Sequence, residues 1–298
     1  MTTAKPKTTT MTSADVLAYA RANYGYLAAF LSMPEVGPIL LKAARGGWDS
    51  NRLLGALAPT KWWKTTTASA RTFDAERKLD PATNQRKLTN AQASIAAQAS
   101  KDGLSLSPTV LRQIAWNSLR LGWSSDQVNQ ALGHQFHYNP TAKTQAPVVD
   151  QIKQLADQYL VPISNADMQK WGSQLIAGNI DANNLESYVK AQAKSLFPTL
   201  AGAIDSGVTV RQYVSPYGQL AAQNGVVASA DDINWMDPRY QKALFQVDPK
   251  TGQRTAMSLA DWQDTIRTDP AFGYSHTDQA KSTAADLATQ LTNLAGAG

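Results

Sequence analysis

Cysteine is absent from the chain, which excludes disulfide scaffolds, thiolate zinc sites and cysteine nucleophiles. Histidine and glutamate are nearly as scarce. His134, His137 and His276, with Glu35, Glu76 and Glu186, are the whole supply of those two residue types for acid–base or metal work. Charged residues fill only 17% of the 298 positions, against about 25% in an ordinary soluble domain, and neutral polar residues take their place. The longest apolar stretch, Tyr26 to Leu41, is broken by Ser32, Pro34, Glu35 and Gly37, so no transmembrane segment is expected where ~20 apolar residues would be needed. The opening MTTAKPKTTTMTSAD has no apolar region before a cleavage site, so no secretory signal is expected either. G-x-S-x-G, P-loop, G-x-G-x-x-G and H-E-x-x-H patterns are all missing.

What remains is enough to build a core. Hydrophobic residues make up 43%, too many for wholesale disorder. The formal charge of +5 is uneven: residues 1–90 carry 13 basic against 6 acidic side chains, and residues 231–298 carry 6 against 9. A basic front and an acidic rear favour head-to-tail association or docking on an anionic surface. No four basic residues are consecutive, so a nucleic-acid-binding arm is not indicated.

The most informative pattern is a recurring junction of glycine, apolar residue and capping residue. It occurs as Gly47-Trp48-Asp49, Gly122-Trp123-Ser124 and Gly207-Val208-Thr209, with a one-residue expansion at Gly178-Asn179-Ile180-Asp181. Glycine ends one helix in the left-handed conformation, and Asp, Ser or Thr accepts from the free N–H groups that open the next. The residue before an N-cap should then pack on the residue four places after the cap. By that rule Trp48 would face Leu53, Trp123 would face Val128, Ile180 would face Leu185 and Val208 would face Tyr213. The rule extends to Leu106 with Leu111, Ile163 with Met168 and Met257 with Trp262, and all seven partners are apolar. Trp48, Trp123, Ile180 and Val208 are therefore expected to be helix-junction anchors rather than ligand platforms.

The expected fold class is mainly α, an array of short capped helices with one small β-hairpin near the C-terminus. Residues 1–12 read as a flexible tail, 13–138 as an N-terminal helical domain, 139–147 as a linker bounded by Pro140 and Pro147, and 148–298 as a C-terminal helical domain. Within the first, Trp62 to Leu79 and Ala82 to Ser100 form a polar helical hairpin expected to project from the body. The strands are expected at Leu244 to Val247 and Gln253 to Met257. A last helix, Thr277 to Leu294, places Ala280, Ala284, Leu287, Leu291 and Leu294 on one face.

Chemistry is thin. His134 and His137 have a metal-like spacing, but no Asp or Glu lies within seven residues, so no metal site is expected. Glu35 follows an aromatic helix, yet an acid just before a helix suits the helix dipole and needs no catalytic role. No catalytic residue and no cofactor site is expected. The residues best placed to meet an anionic partner are Lys61 and Lys64, flanking Trp62 and Trp63, with Arg71, Arg77, Lys78, Arg86 and Lys87 on the polar hairpin. Asp74, Glu76 and Asp80 interrupt that strip, which favours internal ion pairs and leaves nucleic acid open as a partner.

The stretch from Tyr24 to Asp74 resembles a segment of minor tail and other virion structural proteins of phages infecting actinobacteria. The similarity rests on Tyr24-Gly25-Tyr26, Gly47-Trp48-Asp49, Thr60-Lys61-Trp62-Trp63 and Arg71 to Asp74. It continues through Ser206 to Gln223, Asn234 to Phe245 and Met257 to Ser275. The resemblance implies a non-enzymatic virion component, tail- or neck-associated and made in the host bacterial cytoplasm. Its partners would be other virion proteins or further copies of itself. The alternatives are an internal virion protein ejected with the DNA, contacting nucleic acid or membrane, and a cell-wall-degrading enzyme.

Overall fold

Side-chain caps set most of the helix starts in this chain. The computed structural model describes residues 12–247, 252 and 254–296. Among them the protein forms sixteen α-helices, short 3-10 turns and one two-stranded hairpin, a mainly α fold. The first half runs α1 (Ser13–Tyr24), α2 (Gly37–Gly46), α3 (Ser50–Leu57), α4 (Lys61–Thr65), α5 (Ala68–Leu79), α6 (Pro81–Lys101), α7 (Pro108–Leu121) and α8 (Ser125–Gly133). The second runs α9 (Pro147–Gln158), α10 (Asn165–Ile176), α11 (Ala182–Leu196), α12 (Ala201–Asp205), α13 (Val210–Gln223) and α14 (Pro238–Gln241). Strands β1 (Gln246–Val247) and β2 (Arg254–Thr255) follow, then α15 (Leu259–Thr268) and α16 (Asp278–Gly296).

All seven expected N-caps are made. Asp49, Ser107, Ser124, Asp181, Thr209 and Ser258 each accept from the third N–H of the helix they open, and Ser164 does so from Asp167. The four glycines lie at φ 57°, 65°, 71° and 93° for Gly47, Gly122, Gly178 and Gly207. At three junctions the apolar residue itself donates its N–H back across the turn: Trp48 to Ala43, Trp123 to Ser118 and Val208 to Ala203, at 2.9–3.0 Å. At the expanded junction Asn179 donates to Gln174 instead. One residue thus closes the outgoing helix and precedes the cap of the incoming one.

Three expectations are corrected. The span Trp62 to Leu79 is two helices, because Thr66 and Thr67 leave the helical path; Thr66 has φ −115° and ψ 137°, and the Thr67 hydroxyl caps α5. The polar hairpin α5–α6 does not project: α5 packs on the 3-10 turn Gly25–Phe30, and both helices pack on α7. Its small apolar set, Ala70, Phe73, Ala75, Leu88, Ile95 and Ala99, is buried, so a low apolar count still sufficed for a buried stripe. The strands are shorter than expected, pairing only Gln246 with Thr255 and Val247 with Arg254; residues 248–251 and 253 of the expected hairpin, and the expected tail to residue 11, lie outside the described residues.

The chain divides into two compact units. The first runs to His137 and also takes in Ser173–Asn179, so the division cuts through α10. Its core holds Phe30, Val36, Leu40, Leu53, Leu57 and Trp62. Beside it, Phe73 meets Trp116 edge-on at 4.9 Å, and Asp74 pairs with Arg120 at 3.1 Å to join α5 to α7. The second unit comprises Tyr138–Gly172 and Ile180 onward. Trp262 is wholly buried there and donates its indole N–H to the Tyr217 carbonyl at 3.0 Å, and the Tyr217 hydroxyl donates to the Met257 carbonyl at 2.7 Å. Residues 139–147 belong to this unit and form a hydrogen-bonded turn in which the Asn139 carboxamide oxygen accepts from the Thr141 N–H and hydroxyl.

Candidate functional site

An open depression of about 570 Å³ forms in the first unit at the junction of α2 and α3. Gly47 turns the chain so that Trp48 folds back over the last turn of α2, and the indole packs partly against the core. Its carbonyl accepts from the buried Tyr24 hydroxyl at 3.2 Å, and burial pushes that phenol's pKa up. Three cations surround the indole: Lys42 and Arg45 from α2, and Arg52 from α3. The Arg52 guanidinium sits 4.4 Å from the ring centroid and the Lys42 ammonium 5.9 Å. Among the described residues none of the three forms an ion pair, since the nearby Asp49 carboxylate accepts from the Arg52 backbone N–H as the cap. Pro38 and Leu41 complete an apolar wall. An exposed cationic notch with an aromatic floor suits an anionic group carried on an apolar or planar body.

The sequence pattern does not mark Lys42, Arg45 or Arg52 as contacts for an anionic partner. The available signal is three basic residues three to six positions from Trp48, on the two helices that its turn joins. The fold rearranges the basic strip expected to meet an anionic partner. Lys61 and Lys64 are exposed beside Trp62, which is buried, and Trp63, which is half-buried. Arg71 is corrected outright: it is 8% exposed and not available to an anionic partner. Its guanidinium stacks 3.8 Å from the Trp63 ring and donates to the carbonyls of Trp63 and Thr66, while its Nε has no partner. Arg77 lies over Trp116 at 5.3 Å and Lys78 over Phe30 at 5.0 Å. Lys87 pairs with Glu76 at 2.5 Å, and Arg86 donates to the Thr83 hydroxyl at 2.8 Å.

The anchors Trp48, Trp123, Ile180 and Val208 are all half-buried, as residues at the seam between a helix and its successor should be. Glu35 closes a longer-range junction. Its carboxylate accepts from the backbone N–H groups of Lys61 and Trp62, the latter at 3.1 Å, and so caps α4 rather than the helix that follows it in sequence. His134 and His137 are exposed, and His134 is the residue that ends α8.

No protein-family description, curated protein or solved structure matches this chain.

Among the described residues no group of three His, Asp or Glu side chains is arranged to hold a metal ion, and no helix is long and apolar enough to cross a membrane.

Proposed function

We propose that this chain is a non-enzymatic structural component of a bacteriophage virion, a tail- or neck-associated minor protein that acts through protein–protein contacts. The observation that carries this reading is how the aromatic front uses its polar side chains. Glu35 caps α4, Tyr24 closes on the Trp48 carbonyl, and Arg71 ties Trp63 and Thr66 together. These contacts stiffen a frame of short rods. The motifs from Tyr24 to Asp74 that resemble virion proteins of actinobacterial phages are the same junctions, so resemblance and geometry concern one set of residues. Mass spectrometry of purified particles tests the proposal. The chain is expected among the virion proteins in constant ratio to the tail components, and its absence would overturn the reading.

The notch around Trp48 favours a second reading, an internal protein that contacts DNA after ejection. Unpaired Lys42, Arg45 and Arg52 would release counterions from phosphates, so binding to single-stranded DNA should weaken steeply with salt. Loss of that binding in Arg45→Ala/Arg52→Ala supports this alternative; binding unchanged by salt or by the substitutions excludes it.

A further inference from the structure

The notch around Trp48 is more than a set of surface cations, because its parts are held in place. Two adjacent glycines divide the task. Gly47 turns the chain at φ 57°, and Gly46 makes room for the indole: a Cβ at Gly46 would lie 2.7 Å from Trp48 Nε1 and 3.0 Å from Cδ1. The pyrrole edge of the ring therefore rests on the last turn of α2, and the Arg52 guanidinium lies over the ring at 4.4 Å. A guanidinium held against an indole keeps N–H groups at its own edge free and already oriented. Less conformational freedom is then lost when they bind an oxyanion.

Helix electrostatics separates these cations. Arg45, in the last turn of α2, complements the negative end of that helix and needs no ligand to account for it. Arg52 is the third residue of α3, where the positive end of the helix disfavours a cation. Among the described residues Lys42, Arg45 and Arg52 form no ion pair, and neither their side chains nor the Trp48 indole N–H donates a hydrogen bond. The Asp49 carboxylate at the same junction is committed to the cap, accepting from the Arg52 backbone N–H at 2.7 Å. A local rule broken with no compensating contact inside the chain marks a functional position.

We propose that this notch binds a phosphate monoester carried on a planar or apolar body, a mononucleotide being the simplest member of that class. Arg52 and Arg45 supply forked donors to the phosphate oxygens, Lys42 adds a third charge, and the wall of Pro38 and Leu41 covers the body. Three cations less the one carboxylate leave a net charge of +2 at the junction. That matches the roughly −1.5 to −2 of a monoester at neutral pH better than the single charge of a diester or a carboxylate. The opening, about 570 Å³, falls within the ~300–1,000 Å³ of small-molecule sites.

The test is a titration of the full-length chain with AMP, read by calorimetry and by the indole N–H signals of isotope-labelled protein. The Trp48 signal, assigned by its loss in Trp48→Phe, should move alone among the eight tryptophans. Arg52→Lys keeps the charge but loses the fork, and should weaken AMP binding roughly tenfold at an unchanged thermal midpoint. Gly46→Ala removes no charge but displaces the indole, and should weaken binding several-fold with the other indole signals in place. Inorganic phosphate should bind more weakly than AMP, and adenosine not at all. A Trp48 signal that stays still, adenosine binding as well as AMP, or affinity unchanged in Arg52→Lys or Gly46→Ala overturns the proposal. So does an oligonucleotide without a terminal phosphate that binds as tightly as AMP, a result that favours the DNA reading instead. None of these outcomes bears on the virion reading, which is decided on purified particles.

Discussion

Arg71 shows how far a side chain's role departs from its type. A guanidinium on a polar helix reads as a phosphate contact, but the Thr66–Thr67 break folds α4 back so that Trp63 covers it. The planar group fits between the indole and two carbonyls, where an ammonium cannot stack or fork. Arg71→Lys should therefore lower stability almost as much as Arg71→Ala, by about 2 kcal/mol, measured by urea unfolding of both variants. Tyr217 gives a pH dependence. Burial, with Tyr213 nearby, pushes its hydroxyl pKa up to about 12 from the ordinary 10.0, so the folded state favours the neutral phenol. The contribution is fully present below pH 10 and is lost as pH rises toward 12, where the unfolded chain ionises first. Tyr24 and Tyr240 shift in the same direction. The midpoint of urea unfolding should fall between pH 10 and 12, and less steeply in Tyr217→Phe, which in turn is weaker at pH 7 by about 1 kcal/mol for the lost bond to Met257.

Helices in this chain are defined by their ends. The glycine junctions are the part most legible in the sequence, because both halves of the signal, a left-handed turn and a capping oxygen, are local. Gly178 and Gly122 make the requirement measurable. Both have positive φ, but a Cβ at Gly178 meets open space whereas one at Gly122 comes within 2.7 Å of the Ser69 hydroxyl. Gly178→Ala should cost about 1 kcal/mol, and Gly122→Ala more, as read from thermal midpoints. Ser124→Ala should cost about 1 kcal/mol through loss of its capping box. Glu35→Ala should cost a similar amount, with exchange protection lost at the amides of Lys61 and Trp62 rather than at α2. That last cap was invisible in the sequence. Glu35 lies 26 residues from Lys61, and only the return of α4 over the first unit's core brings them together.

As a whole the protein is two cores on one chain, and local pattern says little about which residues share one. Trp262 illustrates this. Its position after Ser258 marked it as a junction partner, yet its N–H reaches Tyr217 and its ring meets Phe272 edge-on at 5.3 Å, contacts set by how α13 and α15 pack. Trp262→Ala should cost about 3–5 kcal/mol and raise amide exchange across α13 and α15, while the amides of α2, α3 and α5 in the first unit stay protected. The placement of Ser173–Asn179 with the first unit was likewise not readable. Gly133 permits it: a Cβ there would lie 2.6 Å from the Ser173 carbonyl oxygen, and that serine's hydroxyl donates to the Gly133 carbonyl at 2.9 Å.

Local chemistry along the chain was sufficient for the helical class, the caps, the left-handed turns and the apolar face of α16, because each depends on residues within about one or two helical turns. Packing alone decided that Arg71 is buried, that the polar hairpin lies against α7, and that Lys42, Arg45 and Arg52 gather around Trp48. Those outcomes depend on which faces meet once many rods compete for the same apolar cover, a contest between distant residues that no short window of sequence contains.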